Sequence, residues 1–125
     1  MEIEAVGRTV IGSAIKVHSA LGPGLLESVY QQCLAHELRK AGLKVECEVV
    51  VPVYYDDIVI EPGYRIDLLV EGAVIVENKT VEKLLAIHEA QLLTYLKMKN
   101  CKLGYLINWN TSLLKDGIKR MVNGL

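Results

Sequence analysis

Apolar side chains recur every three or four residues in three stretches of the chain, the spacing of one face of an α-helix. These stretches are residues 3–21, about 25–41 and 83–99. The segment Gly22–Gly24, with the sequence Gly-Pro-Gly, would separate the first two stretches. Gly42 stands at the end of the second stretch, where a helix C-cap is expected. The pattern therefore predicts two consecutive helices at the start of the chain and a third helix after residue 83.

Between the second and third helices the pattern changes to alternating apolar and polar residues, which is typical of half-buried strands. Pro52 would end the first of these strands, and Asp56-Asp57 would form a turn before the next. Glu71-Gly72 is a short connection suited to a hairpin. The predicted strands are Leu43–Val51, Ile58–Ile60, Tyr64–Val70 and Ala73–Thr80.

The last quarter of the chain predicts one more strand and one more helix. Lys102–Trp109 is apolar enough for a buried strand, and Ser112–Val122 has the spacing of a short closing helix. The order of elements favours an α/β fold, in which a central mixed sheet lies between helices. Because no repeat or linker interrupts the 125 residues, we expect a single domain over residues 1–125.

Composition excludes several classes of protein. Hydrophobic residues make up 51% of the chain, too many for general disorder. Three widely spaced cysteines predict neither a disulfide framework nor a zinc site. No apolar run is long enough for a membrane span, and acidic residues follow Met1 where a signal peptide would be basic. We therefore expect a cytoplasmic protein that does not enter membranes.

The net charge of −1 hides an uneven distribution. Residues 1–63 carry five basic against nine acidic side chains, whereas residues 64–125 carry nine basic against six acidic ones. The whole chain lacks the basic surface of a protein that holds nucleic acid by charge alone. A local basic face in the second half is compatible with this pattern.

Asp67, Glu77 and Lys79 are the best candidates for chemistry, because the predicted hairpin brings their strands together. Glu77 and Lys79 are two residues apart and so point to the same face of a strand. Carboxylate oxygens suit Mg²⁺ or Mn²⁺, and a nearby lysine can orient water or stabilise negative charge. The alternative is a purely structural ion pair between Glu77 and Lys79 at a strand end.

Two helices carry further candidates. Glu27 lies in the first turn of the second helix, where it would either complement the helix dipole or provide a third carboxylate to the metal. On the third helix His88, Gln91 and Tyr95 share one face. They would form either an ordinary amphipathic face or a polar stripe that contacts phosphate or base.

The motif Gly24-x-x-Glu27-x-x-Tyr30 resembles the one that names the GxxExxY family, a branch of the PD-(D/E)XK nuclease-like superfamily. The resemblance covers nearly the whole chain, from about Val10 to Met121. The matching segments are Val17-His18, Leu21–Glu27, Tyr64–Asp67, Glu77–Lys79, Gln91–Lys97 and Leu106–Trp109.

The resemblance implies a restriction-endonuclease-like core and metal-dependent hydrolysis of phosphodiester bonds in DNA or RNA. The residues that match the superfamily's catalytic triple are Asp67, Glu77 and Lys79. Glu27 matches an additional metal-binding carboxylate, and Gln91 and Tyr95 match a Gln-x-x-x-Tyr pattern beside the site that helps to hold substrate. Asn78 departs from the family, where this position is more often apolar, and so predicts a strand end that is more open to water.

Two functions are consistent with these residues. The first is a nuclease that uses Mg²⁺ or Mn²⁺, with Asp67, Glu77 and Glu27 as metal ligands and Lys79 as a catalytic cation. The second is a non-catalytic module on the same fold that binds nucleic acid or protein. A homodimer is a further expectation, because a chain this small would need a second copy to span a duplex. If the carboxylates converge, repulsion should raise the pKa of at least one, with Lys79 opposing that shift.

Overall fold

The computed structural model describes all 125 residues, which form three α-helices and seven strands. The helices are α1 (Ile3–Leu21), α2 (Glu27–Lys40) and α3 (Ala86–Met98). The strands are β1 (Val45–Val50), β2 (Val53–Tyr55), β3 (Ile58–Ile60), β4 (Arg65–Val70), β5 (Val74–Lys79), β6 (Leu103–Asn108) and β7 (Ile118–Val122). A 3₁₀ turn, Leu114–Gly117, precedes β7. No helix is both long and apolar enough to span a membrane.

Five strands form one sheet in the order β1-β4-β5-β6-β7, and β2 and β3 form a separate hairpin. Only β5 and β6 run parallel, because α3 carries the chain from one to the other; all other neighbours are antiparallel. The sheet is therefore mixed and flanked by helices, which confirms the predicted α/β class.

The two faces of the sheet carry two separate hydrophobic cores. Helices α1 and α2 cover one face, where Leu34 and Leu38 pack against strand residues such as Val76. Helix α3 covers the other face, where Leu92 and Leu96 belong to the second core. Because both faces of β5 and β6 are covered, these strands are buried almost throughout, as expected for parallel neighbours.

The predicted closing helix over Ser112–Val122 is wrong. The chain makes the short 3₁₀ turn and then enters β7, which pairs with β6 along its length, from Ile107↔Ile118 to Leu103↔Val122. The half-buried residues Ile118 and Met121 are three apart, which imitates a helical spacing. Without β7, one edge of the buried strand β6 would lack hydrogen-bond partners, and supplying them outweighs that local pattern.

The segment between β1 and β4 also differs from the prediction. The predicted strand Ile58–Ile60 exists, but it pairs with an additional strand, β2, through the turn at Asp56-Asp57. This hairpin exposes large apolar side chains on both of its faces. Those that are at least half exposed are Tyr54, Tyr55, Ile58 and Val59.

Candidate active site

The candidate site lies where β4 and β5 separate. Their regular pairing runs from Val70↔Val74 to Leu68↔Val76 and stops there. Beyond it, two carboxylates take the place of backbone partners. The Asp67 backbone N–H donates to Glu77 Oε1 at 3.3 Å, and the Asn78 backbone N–H donates to Asp67 Oδ2 at 2.8 Å. The structure thus brings Asp67 and Glu77 together in the gap between the two strands.

Burial dominates the electrostatics of this acid pair. The side chain of Glu77 is only 4% exposed, and burial, followed by the negative charge of Asp67, raises the pKa of Glu77 to about 9. Burial also raises the pKa of Asp67, against the hydrogen bond from the Asn78 N–H, which lowers it. The predicted upward shift is confirmed, but burial is a larger cause than repulsion. Glu77 is therefore protonated at neutral pH in the metal-free protein.

Lys79 lies half-buried at the end of β5, and its positive charge lowers the pKa of Glu27, Asp67 and Glu77. None of the ion pairs in the protein includes any of these four side chains. The sequence is also consistent with a purely structural ion pair between Glu77 and Lys79, and this ion pair is absent. The ammonium is therefore close enough to influence the acid pair electrostatically but forms no ion pair with it.

Glu27 is the first residue of α2, and it approaches the site from the helical layer opposite to α3. The pKa of Glu27 is raised first by burial and then by the charge of Asp67, so the two carboxyl groups are close. The three carboxylates nevertheless do not form a group that can enclose a metal as they stand. For Glu27 to join Asp67 and Glu77 as a ligand, its side chain would have to turn further toward the pair.

The strand alternation did not identify a fourth acidic residue, Glu48. It lies on β1 at the position that faces Asp67 in the register, and its charge raises the pKa of both Asp67 and Glu27. Its backbone has a φ of 55°, unusual for a residue other than glycine, and Gln31 Nε2 donates to its Oε1 at 2.8 Å. Glu48 is thus held beside the site by α2.

Near Glu48 and Asp67, strands β1 and β4 both exchange the faces to which their alternate side chains point. Val45 belongs to the core under α1 and α2, but Val49, of the same strand parity, packs against the core under α3. On β4 the same change separates Leu68 from Ile66. The alternation therefore breaks between Val45 and Val49, and Cys47, which lies between them, is exposed. Nothing in the residue pattern alone shows this change, which the pairing of β1 with β4 produces.

A buried network supports the site from behind. The Trp109 indole N–H donates to Asn78 Oδ1 at 2.9 Å, and His18 Nε2 lies 3.2 Å from the Trp109 carbonyl. The Tyr30 ring stacks on Trp109 with a centroid distance of 4.7 Å. Asn78 is fully buried, so the prediction of a wetter strand end is wrong. Through its bond to Trp109, the side-chain amide instead fixes Asn78 in place between Glu77 and Lys79.

Tyr30 also holds the turn that leads to Glu27. Its hydroxyl donates to the Gly22 carbonyl at 2.5 Å and accepts from the Leu25 N–H at 3.1 Å. Gly24 within this turn has a φ of 101°, which only glycine adopts readily. The spacing of Gly24, Glu27 and Tyr30 is thus explained by one local structure, in which the tyrosine and the glycine set the start of α2.

The segment after β5 is held by β6. Asn108 donates through Nδ2 to the Val81 carbonyl at 2.9 Å and accepts from the Val81 N–H at 3.1 Å. The Trp109 N–H donates to the Lys79 carbonyl at 2.9 Å. These bonds restrain the backbone on which the lysine lies.

Gln91 and Tyr95 lie on the face of α3 that approaches the site. Tyr95 is only 4% exposed and belongs to the core under α3. Burial first, and then the charge of Glu77, raises the pKa of Tyr95 to about 12. Gln91 is exposed and lines an open cavity together with Tyr95. Tyr95 therefore fits both interpretations of the sequence: it is a core residue, and it is a neighbour of the site.

Comparison with known families agrees with this geometry. A family model described as the PD-(D/E)XK nuclease superfamily matches residues 4–121. No curated protein gives a significant match to the chain.

The raised pKa of Glu77 predicts a pH-dependent stability. The folded, metal-free protein holds the Glu77 proton more tightly than the unfolded chain, so the free energy of unfolding should fall as pH rises from about 5 to 9. Glu77→Gln removes this titration, so the variant should lose less stability over that range and exceed the wild type at pH 8. Urea denaturation at several pH values with a chelator present measures this, with the exposed Glu46→Gln as the control. Parallel pH profiles for wild type and Glu77→Gln would contradict the assignment.

The turn before α2 gives a second prediction. Tyr30→Phe keeps the ring stacked on Trp109 but removes both hydroxyl hydrogen bonds to the turn. Because Tyr30 is fully buried, the free energy of unfolding should fall by about 1–2 kcal/mol. Urea denaturation measures this, with the exposed Tyr55→Phe as a matched control that should match the wild type. Equal stability of the two variants would show that the hydroxyl does not hold the turn.

Proposed function

The chain belongs to the PD-(D/E)XK nuclease superfamily, and from this premise we propose that it is a metal-dependent nuclease that hydrolyses phosphodiester bonds of DNA or RNA. One observation carries the proposal. A buried carboxyl group, Glu77, and a half-buried one, Asp67, lie side by side at a strand break, have raised pKa values and form no ion pair. A buried acid pair of this kind is destabilising unless a cation joins it.

The residues present fit a divalent cation. Nucleases of this superfamily generally use such ions, and the oxygen donors here favour Mg²⁺ or Mn²⁺ over softer metals. Asp67 and Glu77 would hold the ion, with Glu27 joining them from α2. When bound, the ion supplies positive charge to the scissile phosphate and lowers the pKa of a coordinated water.

Lys79 would act on the reacting groups directly. Its ammonium forms no ion pair and lies on the same strand as Glu77, two residues further on. A cation in this position orients the attacking water and stabilises negative charge as it develops on the phosphate. Gln91 and Tyr95, on the neighbouring face of α3, would hold the substrate beside it.

We assign the chain to the GxxExxY branch of the superfamily. The support is local: Tyr30 and Gly24 set the turn from which Glu27 reaches toward Asp67. We also treat residues 1–125 as one domain, since both cores share one sheet. Three free cysteines favour a reducing compartment such as the cytoplasm.

The second candidate function is an interaction module without catalysis. The exposed apolar hairpin β2–β3 favours it, because a two-stranded hairpin with large apolar side chains in water is marginally stable alone. The same hairpin is the surface through which we propose that a homodimer forms. Metal binding and cleavage distinguish this module from the nuclease.

Activity should depend on Lys79 more than metal binding does. With Mg²⁺ or Mn²⁺ the protein should cleave nucleic acid, and excess chelator should abolish cleavage. Lys79→Ala should leave metal affinity nearly unchanged, because an ammonium is not a ligand, and should lower turnover about a hundred- to a thousandfold. Single-turnover cleavage and calorimetry measure the two effects. Lys102→Ala, at the far end of β6, is the matched control and should retain full activity.

A negative result would be equally informative. If neither metal supports cleavage of single- or double-stranded DNA or RNA, and calorimetry detects no metal binding, the nuclease proposal fails and the interaction module is the better account.

A further inference from the structure

An open cavity of about 390 Å³ lies between α3 and Tyr64, the residue that precedes β4. It is lined by Tyr64, Ile87, His88, Ala90, Gln91, Thr94 and Tyr95. The lining connects the cavity to the site, because Tyr64 lies three residues before Asp67 and Tyr95 packs in the same core as Ile66, the neighbour of Asp67. A group in this cavity can therefore belong to the same ligand as a phosphate at the acid pair.

The lining contains no Asp, Glu, Lys or Arg. It is therefore unsuited to a phosphate and suited to an uncharged group. Tyr64, Ile87 and Ala90 provide apolar surface, and Gln91 provides an amide; the Thr94 hydroxyl donates to the Ala90 carbonyl at 3.0 Å, which leaves its oxygen as an acceptor. This combination of apolar faces and a few polar groups is the usual composition of a small-ligand site.

Tyr64 offers an aromatic surface within the cavity. The residue is 47% exposed, and its ring is tilted by 54° to that of Tyr95 at a centroid distance of 6.3 Å. The Val51 N–H donates to the Tyr64 carbonyl at 2.8 Å, which fixes the backbone below the ring. Tyr64 is therefore an anchored aromatic with a face open to a ligand.

Polar groups around the ring are available for hydrogen bonding. His88 Nδ1 accepts from the Leu85 N–H at 3.0 Å, so in neutral His88 the proton lies on Nε2, which can donate to a ligand. The Gln91 amide has no hydrogen-bond partner within the chain and can both donate and accept. The lining thus matches the exocyclic groups and ring nitrogens of a nucleobase.

We propose that this cavity, here called the base pocket, binds an unpaired nucleobase of the strand whose phosphate lies at Asp67 and Glu77, with Tyr64 as the stacking platform. The inference rests on the proposed function and deepens it. A base inside a duplex stays stacked between its neighbours and cannot enter a cavity unless it leaves the helix. The substrate class is therefore single-stranded or locally unpaired nucleic acid.

Binding of labelled oligonucleotides to the 125-residue protein tests the base pocket. Fluorescence anisotropy in Ca²⁺ compares an oligothymidine strand, the same strand with abasic positions, and a duplex of equal length. We expect the wild type to prefer the oligothymidine strand. Tyr64→Ala should weaken that binding about tenfold and leave the abasic strand unaffected, because stacking on one aromatic ring is lost.

Two variants make the result specific. Tyr64→Trp keeps an aromatic platform and should retain the preference for the strand with bases. Leu113→Ala removes an exposed apolar side chain outside both the cavity and the β2–β3 hairpin and should bind all three oligonucleotides as the wild type does. Equal affinity of the wild type for abasic and base-containing strands, or unchanged binding by Tyr64→Ala, would overturn the base pocket.

Cleavage by the wild type and Asp67→Asn separates this inference from the proposed function. Metal-dependent cleavage that Asp67→Asn abolishes, combined with no effect of Tyr64→Ala or of base pairing, would leave the nuclease intact and reject the base pocket. Base-dependent binding that Tyr64→Ala loses, without cleavage, would support the pocket and reject hydrolysis. If no oligonucleotide binds, both proposals fail.

Discussion

A buried carboxyl group, Glu77, beside a half-buried one, Asp67, between separating strands is the constraint on which this structure depends. Asp67 and Glu77 lie where the pairing of β4 with β5 ends, while β4 remains paired with β1 and β5 with β6. Their carboxyl groups accept the backbone N–H groups that no longer have a partner on the neighbouring strand. The same two side chains thus accept backbone hydrogen bonds and provide the acidic groups of the candidate site. The protein tolerates the pair because Glu77 retains its proton, and that proton is what a metal ion would displace.

The surrounding elements restrain this unfavourable arrangement from several sides. The Trp109–Asn78 bond and the Asn108–Val81 bonds hold the end of β5, and Tyr30 holds the turn before Glu27. These contacts are buried or part-buried and geometrically specific, whereas the acid pair avoids repulsion only because Glu77 keeps its proton. Stability and chemistry are therefore divided between two places: a hydrogen-bonded network under α1 and α2, in which Asn78 Nδ2 alone lacks a partner, and the acid pair between β4 and β5.

The sequence predicts most of this fold because its signals are local. All three helices, and the hairpin that joins Asp67 to Glu77, follow from periodicity and turn residues. Long-range pairing decides the rest: β7 forms because β6 needs an edge partner, and Glu48 reaches the site because β1 pairs with β4 at a point where both strands turn over. Asn78 was identified as a departure from its family, but its partner Trp109 is 31 residues away, and sequence alone did not connect them.

The central claim is that the acid pair is a divalent metal site, and calorimetry of Mn²⁺ binding in buffers of different ionisation enthalpy tests it most directly. Because Glu77 is protonated at neutral pH, binding should release about one proton per ion at pH 7. The release should disappear in Glu77→Gln, and Asp67→Asn should abolish binding. Mn²⁺ binding without proton release, or binding that survives both substitutions, would contradict the account.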